Sequence, residues 1–185
     1  MELGNTAYVI LGLLHKGPKT GYEIKSVVDH STRFFWAASY GQIYPELRKL
    51  AEAGLIQGRS NPSGGRKRTE YRLTAAGREE LRRWLEIEPA VFEMRDEALL
   101  KLFFAGASPE AATRAIEAKR AANVETLRQL GEVEPLAKDS PDPFPYMVLR
   151  FGVGLSEFII GWCDGALAEL AEEEEAQTRE RRRSA

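Results

Sequence analysis

The spacing of apolar residues switches near Gly54 and switches back near Thr74, and this double change restricts the fold more than any other property of the chain. Before Gly54 the apolar positions recur every three or four residues, as one face of a helix requires, whereas between Leu55 and Leu73 they alternate, as a strand requires. Three helices are therefore predicted ahead of the switch. The first, over about Thr6–His15, is apolar nearly all round and is read as buried, and Gly17-Pro18 ends it. Thr20-Gly21-Tyr22-Glu23 has the form of a capping box and starts the second helix at Gly21, with Ile24, Val27 and Val28 inward. The third begins near Ser39 or Gly41 and runs to Ala53, with Ile43, Leu47 and Leu50 inward and Gly54 as its cap. Pro45 is placed in its first turn, where a missing N–H costs little.

Residues 55–59 and 68–73 then read as a hairpin around the turn Asn61-Pro62-Ser63-Gly64-Gly65-Arg66-Lys67. Thr74 caps a fourth helix with Leu81, Trp84 and Leu85 inward, stopped by Pro89. Beyond this the pattern is wholly helical. A segment over 99–104 is apolar on almost every side; Ser108-Pro109-Glu110 starts a helix that reaches Leu130, with Gly131 as cap; residues 134–145 form a proline-rich link; and a last helix runs from about Tyr146 to Glu175. The expected fold is mainly α. Residues 1–88 form a winged helix-turn-helix with a two-stranded wing, and residues 89–185 form an all-helical domain suited to dimerisation.

Charge divides along the same boundary. Residues 1–88 carry 14 Lys and Arg against 10 Asp and Glu, and residues 89–185 carry 12 against 18, within a total of −2. A basic module on an acidic remainder fits a phosphate-binding unit joined to something else. The single cysteine, Cys163, excludes an intramolecular disulfide, and two histidines offer no metal-ligand cluster, so no metal and no cofactor are expected. Cys163 is read as a packed residue, with redox sensing the lesser reading. No run of eighteen uncharged apolar residues occurs, and the first residues lack a signal-peptide pattern; a cytoplasmic protein without a membrane partner is expected. Enzyme chemistry has no support, because paired catalytic carboxylates, a Ser-His arrangement and a phosphate-cradling glycine loop are all lacking.

The order of elements points to DNA, with the third helix entering the major groove and the hairpin touching the backbone or minor groove. On that helix Gln42, Tyr44, Arg48 and Lys49 face outward; an Arg or Gln there can make bidentate base contacts. Arg66, Lys67 and Arg68 would neutralise phosphates. Tyr22 can donate to a phosphate near the positive end of the second helix, and Thr20, Ser39 and Tyr40 complete the expected contacts. For Lys25 and Lys49 a solvated face is an equal reading. A protein-interaction module that keeps the fold without reading DNA is the alternative function.

In the last helix Phe151, Leu155, Phe158, Trp162 and Ala166 alternate at spacings of four and three, the seam of a helix pair. Gly154, Gly161 and Gly165 fall on nearly one side, which favours a close helix crossing in a dimer over a local bend. Leu99, Leu102 and Phe103 are expected to join that interface. For Phe34-Phe35-Trp36, core packing is favoured over stacking on a flat effector. The acidic and basic residues after Glu172 read as a solvated end.

The stretches Ile10-Leu11-Gly12-Leu13-Leu14, Gly21-Tyr22-Glu23-Ile24, Gly41-Gln42-Ile43-Tyr44-Pro45-Glu46-Leu47, Gly54-Leu55-Ile56 and Glu70-Tyr71-Arg72-Leu73-Thr74 resemble the PadR family of bacterial regulators in order and spacing. The resemblance is strong over about residues 5–87, and the helical remainder looks like the longer C-terminal domain of one subgroup. It implies a homodimer that binds a palindromic operator through two winged helices and represses transcription until a small molecule weakens the complex. It also implies an effector pocket between the two domains, for which Phe92, Met94 and Trp162 are candidates equal to Phe34, Phe35 and Trp36. Thr20 stands where the family commonly has His, and Tyr40 where it commonly has Pro, so the family's operator sequence does not carry over.

Overall fold

Three helices, α1 (Asn5–His15), α2 (Gly21–His30) and α3 (Tyr40–Glu52), enclose the first core because each has one stripe that water cannot solvate. Ala7, Ile10, Leu11 and Leu14 of α1 meet Ile24 and Val28 of α2 and Ile43, Leu47 and Leu50 of α3, all fully or nearly fully buried. Burying each larger side chain of this set stabilises the unit by roughly 1.5–3 kcal/mol. The computed structural model describes residues 3–17, 19–61, 68–91 and 93–183 and divides into two compact units, Met1–Val91 and Phe92–Ala185.

The first unit is completed by a sheet. Strand β1 (Lys19–Thr20), β2 (Ile56–Asn61) and β3 (Arg68–Leu73) are antiparallel in the order β1-β3-β2. The hairpin pairs Ile56 with Leu73 and Asn61 with Arg68, which turns Ile56 and Leu73 to the core and Arg59, Arg68, Glu70 and Arg72 to the other face. The two-residue β1 is an addition to the expected two-stranded wing; it is too short to leave an alternating pattern. Helix α4 (Ala75–Leu85) follows its Thr74 cap, where the threonine hydroxyl accepts from the Gly77 N–H at 3.0 Å and bonds to the Gly54 and Leu55 carbonyls. Leu81 is buried and Trp84 stacks on Tyr8 at 4.6 Å, but Leu85 is 68% exposed and leaves the expected stripe.

Pro45 does not lie in the first turn. Ser39 caps α3, so the helix starts at Tyr40 and Pro45 is its sixth residue. The proline ring crowds the carbonyl of the residue four before it, which here is Gly41. Phe34-Phe35-Trp36 is likewise not core: residues Thr32–Phe34 form a short 3-10 turn that ends on a half-buried Phe34, and Phe35 and Trp36, which follow it, are exposed.

The second unit consists of α5 (Glu97–Phe103), a 3-10 turn over Ala105–Ala107, α6 (Pro109–Lys138) and α7 (Phe144–Arg183). Pro109 is the first residue of α6, as expected, but the Ser108 side chain makes no capping bond. Gly131 does not end α6, which continues through Pro135 to Lys138, so the link shrinks to residues 139–143. Helix α7 is longer than expected at both ends. Tyr146 with Glu134, Gly152 with Leu130 and Asp164 with Arg120 show that α6 and α7 run antiparallel. Ala112, Ala115, Ile116 and Leu130 are buried with Leu149, Ser156 and Cys163, whose seven-residue spacing marks the side of α7 turned to α6. Asp96 caps α5 by accepting from the Leu99 N–H at 3.1 Å and pairs with Lys119 of α6.

One property of α7 was hidden from a count of uncharged residues. Among the described residues it alone is long and apolar enough to cross a bilayer by length and composition, with a window of mean hydropathy 1.3. Its apolarity lies largely on one uncovered side: Phe151 is 71% and Phe158 69% exposed, Leu155 and Trp162 are also exposed, and nothing lies within 4 Å of a Cβ built on Gly154, Gly161 or Gly165.

Candidate nucleic-acid interface

The start of α2 is fixed by reciprocal bonds. The Thr20 hydroxyl accepts from the Glu23 N–H at 3.2 Å, and a Glu23 carboxylate oxygen accepts from the Thr20 N–H at 2.7 Å and its hydroxyl at 2.8 Å. The Thr20 N–H, then its hydroxyl, hold the Glu23 carboxyl below the usual range, and Lys19 and Arg68 lower it further against the opposing effect of burial. Thr20 is thus engaged in the cap, and beside it Tyr22 stands exposed at the positive end of the helix.

At the start of α3 the same chemistry recurs. Gln42 Oε1 accepts from the Ser39 N–H at 2.9 Å and lies 3.2 Å from the Ser39 hydroxyl. The carbonyl that a bidentate adenine contact would need is therefore occupied by the cap. The core stripe of α3 turns Tyr40, Tyr44 and Arg48, four residues apart, to the outside. The two tyrosine rings lie 6.1 Å apart at 20°. Lys49 is exposed and 3.6 Å from Glu46.

Lys25 corrects the reading of a solvated face. Its side chain is only 14% exposed, pairs with Asp29, and places Nζ 5.3 Å from the centre of the Tyr40 ring, within cation–π range. On the hairpin Arg68 is exposed, whereas Arg66 and Lys67 lie outside the described residues. Arg59, opposite Glu70 on the same outward face, is an exposed cation that the reading of motifs passed over. The alternation of β2 contained the signal, since Ile56 inward sends Arg59 outward.

Among the described residues the effector candidates are divided between the two units. Phe34 ends the 3-10 turn of the first and Phe35 and Trp36 follow it; Met94 precedes α5 and Trp162 lies on the uncovered side of α7 in the second; Phe92 is outside the described residues. The described cleft in the first unit, about 210 Å³ and shallow, is lined instead by Leu14, His15, Arg72, Leu73 and Arg78.

A capped helix pair, an exposed aromatic and basic stripe on the second of them, and an antiparallel wing define a winged helix-turn-helix transcriptional regulator. Residues 10–83 match the transcriptional regulator PadR-like family, and residues 94–171 match the virulence activator alpha C-terminal family. The chain is 33% identical over 174 residues to the negative transcriptional regulator PadR of Bacillus subtilis, covering 88% of this chain and 96% of that protein. The crystal structure of B. subtilis PadR in complex with operator DNA superposes with a TM-score of 0.81 at 32% identity, covering 91% and 99% of the two chains. The structure of the same protein in complex with p-coumaric acid superposes with a TM-score of 0.72 at 30% identity, covering 89% and 94%. The chain belongs to the PadR-like family of transcriptional regulators, and it is a regulator rather than an enzyme.

Proposed function

We propose that this protein is a cytoplasmic, homodimeric repressor that binds a palindromic operator and is released by a small molecule. The observation that carries the reading is the outward stripe Tyr40, Tyr44 and Arg48, held on a helix whose other face is fully buried. A rigid helix with long side chains on its free face is what base reading in the major groove requires. The operator complex of B. subtilis PadR, which superposes over 91% of this chain, supports it. A winged helix that only binds proteins is not favoured.

In this reading Arg48, with Tyr44, contacts bases, while Arg68 and Arg59, joined by Arg66 and Lys67, neutralise phosphates. Tyr22 reaches a phosphate at the start of α2. The uncovered side of α7, through Phe151, Leu155, Phe158, Trp162 and the three glycines, meets a second copy, and Leu99, Leu102 and Phe103 of α5 extend the contact. The p-coumaric acid complex of the relative supports an effector of small aromatic type.

The test is binding of the full-length protein to its own promoter against random duplex at matched salt. Specific binding at least about a thousandfold tighter is expected, the lower end of the range of such regulators; equal affinities would refute the proposal. Arg48→Ala should cost about 1–3 kcal/mol on the specific duplex alone. Arg68→Ala should weaken both duplexes and lower the salt slope by about 0.9.

A further inference from the structure

We infer that Tyr40 and Tyr44 form one pre-ordered aromatic ledge that reads thymine methyl groups, and that Lys25 positions it from behind. The inference rests on the proposal that α3 lies in a major groove, and it adds what the helix recognises there. Three supports hold the rings. Lys25 Nζ sits 5.3 Å from the centre of the Tyr40 ring, and its ammonium is fixed by Asp29. Tyr40 in turn stacks on Tyr44. Tyr44 lies against Gly21, where a Cβ would stand 2.8 Å from Tyr44 Cε1 and 3.2 Å from Leu47 Cδ1, so only glycine lets the ring settle on the start of α2.

Both tyrosines nevertheless stay partly exposed, Tyr40 at 44% and Tyr44 at 42%. A fixed apolar surface suits the one sizeable apolar group that base pairs display in the major groove, the thymine C5 methyl; apart from the small cytosine C5–H, the other major-groove marks are hydrogen-bond donors or acceptors. With the Gln42 carbonyl held by its cap, the first turn of α3 offers aromatic surface in place of a bidentate amide. Lys25 acts through Tyr40 and is a positioning residue, since its charge is already paired with Asp29 and its side chain is largely covered.

The experiment selects duplexes from a random pool with the full-length protein, then replaces each thymine of the selected site by deoxyuridine, which lacks only the methyl. Wild-type protein should lose about fourfold in affinity at one or more thymines of each half-site, the ratio equivalent to roughly 0.8 kcal/mol for one buried carbon. Tyr40→Ala should bind the thymine and uracil duplexes alike, whereas Tyr40→Phe should keep the difference, because the ring reads the methyl and the hydroxyl does not. Lys25→Met should lose most of the discrimination with an unchanged salt slope, and Lys25→Arg should restore it. A wild-type protein indifferent to uracil overturns the inference without help from any variant. So does a Tyr40→Ala protein that still discriminates, or a Lys25→Met protein whose salt slope drops by about 0.9, which would make Lys25 a phosphate contact. If selection enriches no sequence, the operator proposal fails and this inference with it; an enriched site insensitive to uracil removes this inference alone.

Discussion

Gly77 lies against the chain that connects α3 to β2, close enough that a Cβ would strike the Leu55 carbonyl oxygen and come within 2.8 Å of Leu73 Cδ2. The Thr74 hydroxyl ties the same Leu55 carbonyl to the start of α4. Because the obstacle is backbone, it cannot step aside as a side-chain tip would. Gly77→Ala should therefore destabilise the first unit by about 3 kcal/mol or prevent its folding, measured by denaturant unfolding, whereas Gly12→Ala, inside α1 with open space around it, should stabilise it by about 0.5–1 kcal/mol. Caps of this kind were legible in the sequence. Thr20, Glu23 and Thr74 act on groups three residues away, and local chemistry needs no knowledge of the fold. Gln42 was harder, because a side chain that can read a base can also serve a cap, and its choice depends on where the helix starts. Lys25 was hidden for a related reason: its partner ring comes from a different helix.

At the scale of elements, Asp96 does two things at once. It caps α5 and pairs with Lys119 of α6, whose side chain is 11% exposed. Lys119 chiefly holds the Asp96 carboxyl below the usual aspartate range, and the Leu99 N–H adds to this, while burial opposes both. A lowered carboxyl contributes stability that is present above the unfolded value of about 3.9 and is lost as pH falls through the lower folded value. Asp96→Asn should thus cost about 1–3 kcal/mol near neutral pH, and its deficit relative to wild type should shrink as pH falls below about 3.9. Thermal unfolding across that range checks it, and a deficit that stays constant with pH would mean that the pair contributes nothing.

Helix ends were the least legible elements. Gly131 reads as a stop and Pro135 as a link, yet α6 passes through both. Pro135 stands four residues after Gly131, as Pro45 stands four after Gly41, so in each helix the carbonyl crowded by the ring belongs to a glycine. That glycine has the backbone freedom to tilt its carbonyl, and a signal for breakage becomes a means of continuing. Packing of α6 along α7 then outweighs the local cost.

For the whole molecule, the order of the helices and the place of the hairpin followed from apolar spacing together with caps and turn residues, because each helix has a buried stripe and the hairpin alternates. What spacing could not separate on α7 was which apolar side serves which neighbour. Leu149, Ser156 and Cys163 turn to α6 within the chain, while Phe151, Phe158 and the glycine row turn away. Both sets are small or apolar residues at helical spacing, and only the position of α6 tells them apart. If the outer side meets a second copy, melting temperature should rise with protein concentration, since association draws on the folded state alone. Phe158→Glu should abolish that dependence and give a monomer in sedimentation at micromolar concentration; a wild-type melting temperature independent of concentration would count against the dimer.

The uncovered side of α7 also bears on how a cell would set the level of such a regulator. When two copies must meet before an operator is filled, occupancy at low abundance follows the square of the amount of protein made. Halving synthesis would then cut occupancy about fourfold. Control would therefore shift steeply with gene dose, and a change confined to the outer face of α7 could retune it while leaving every DNA contact as it was.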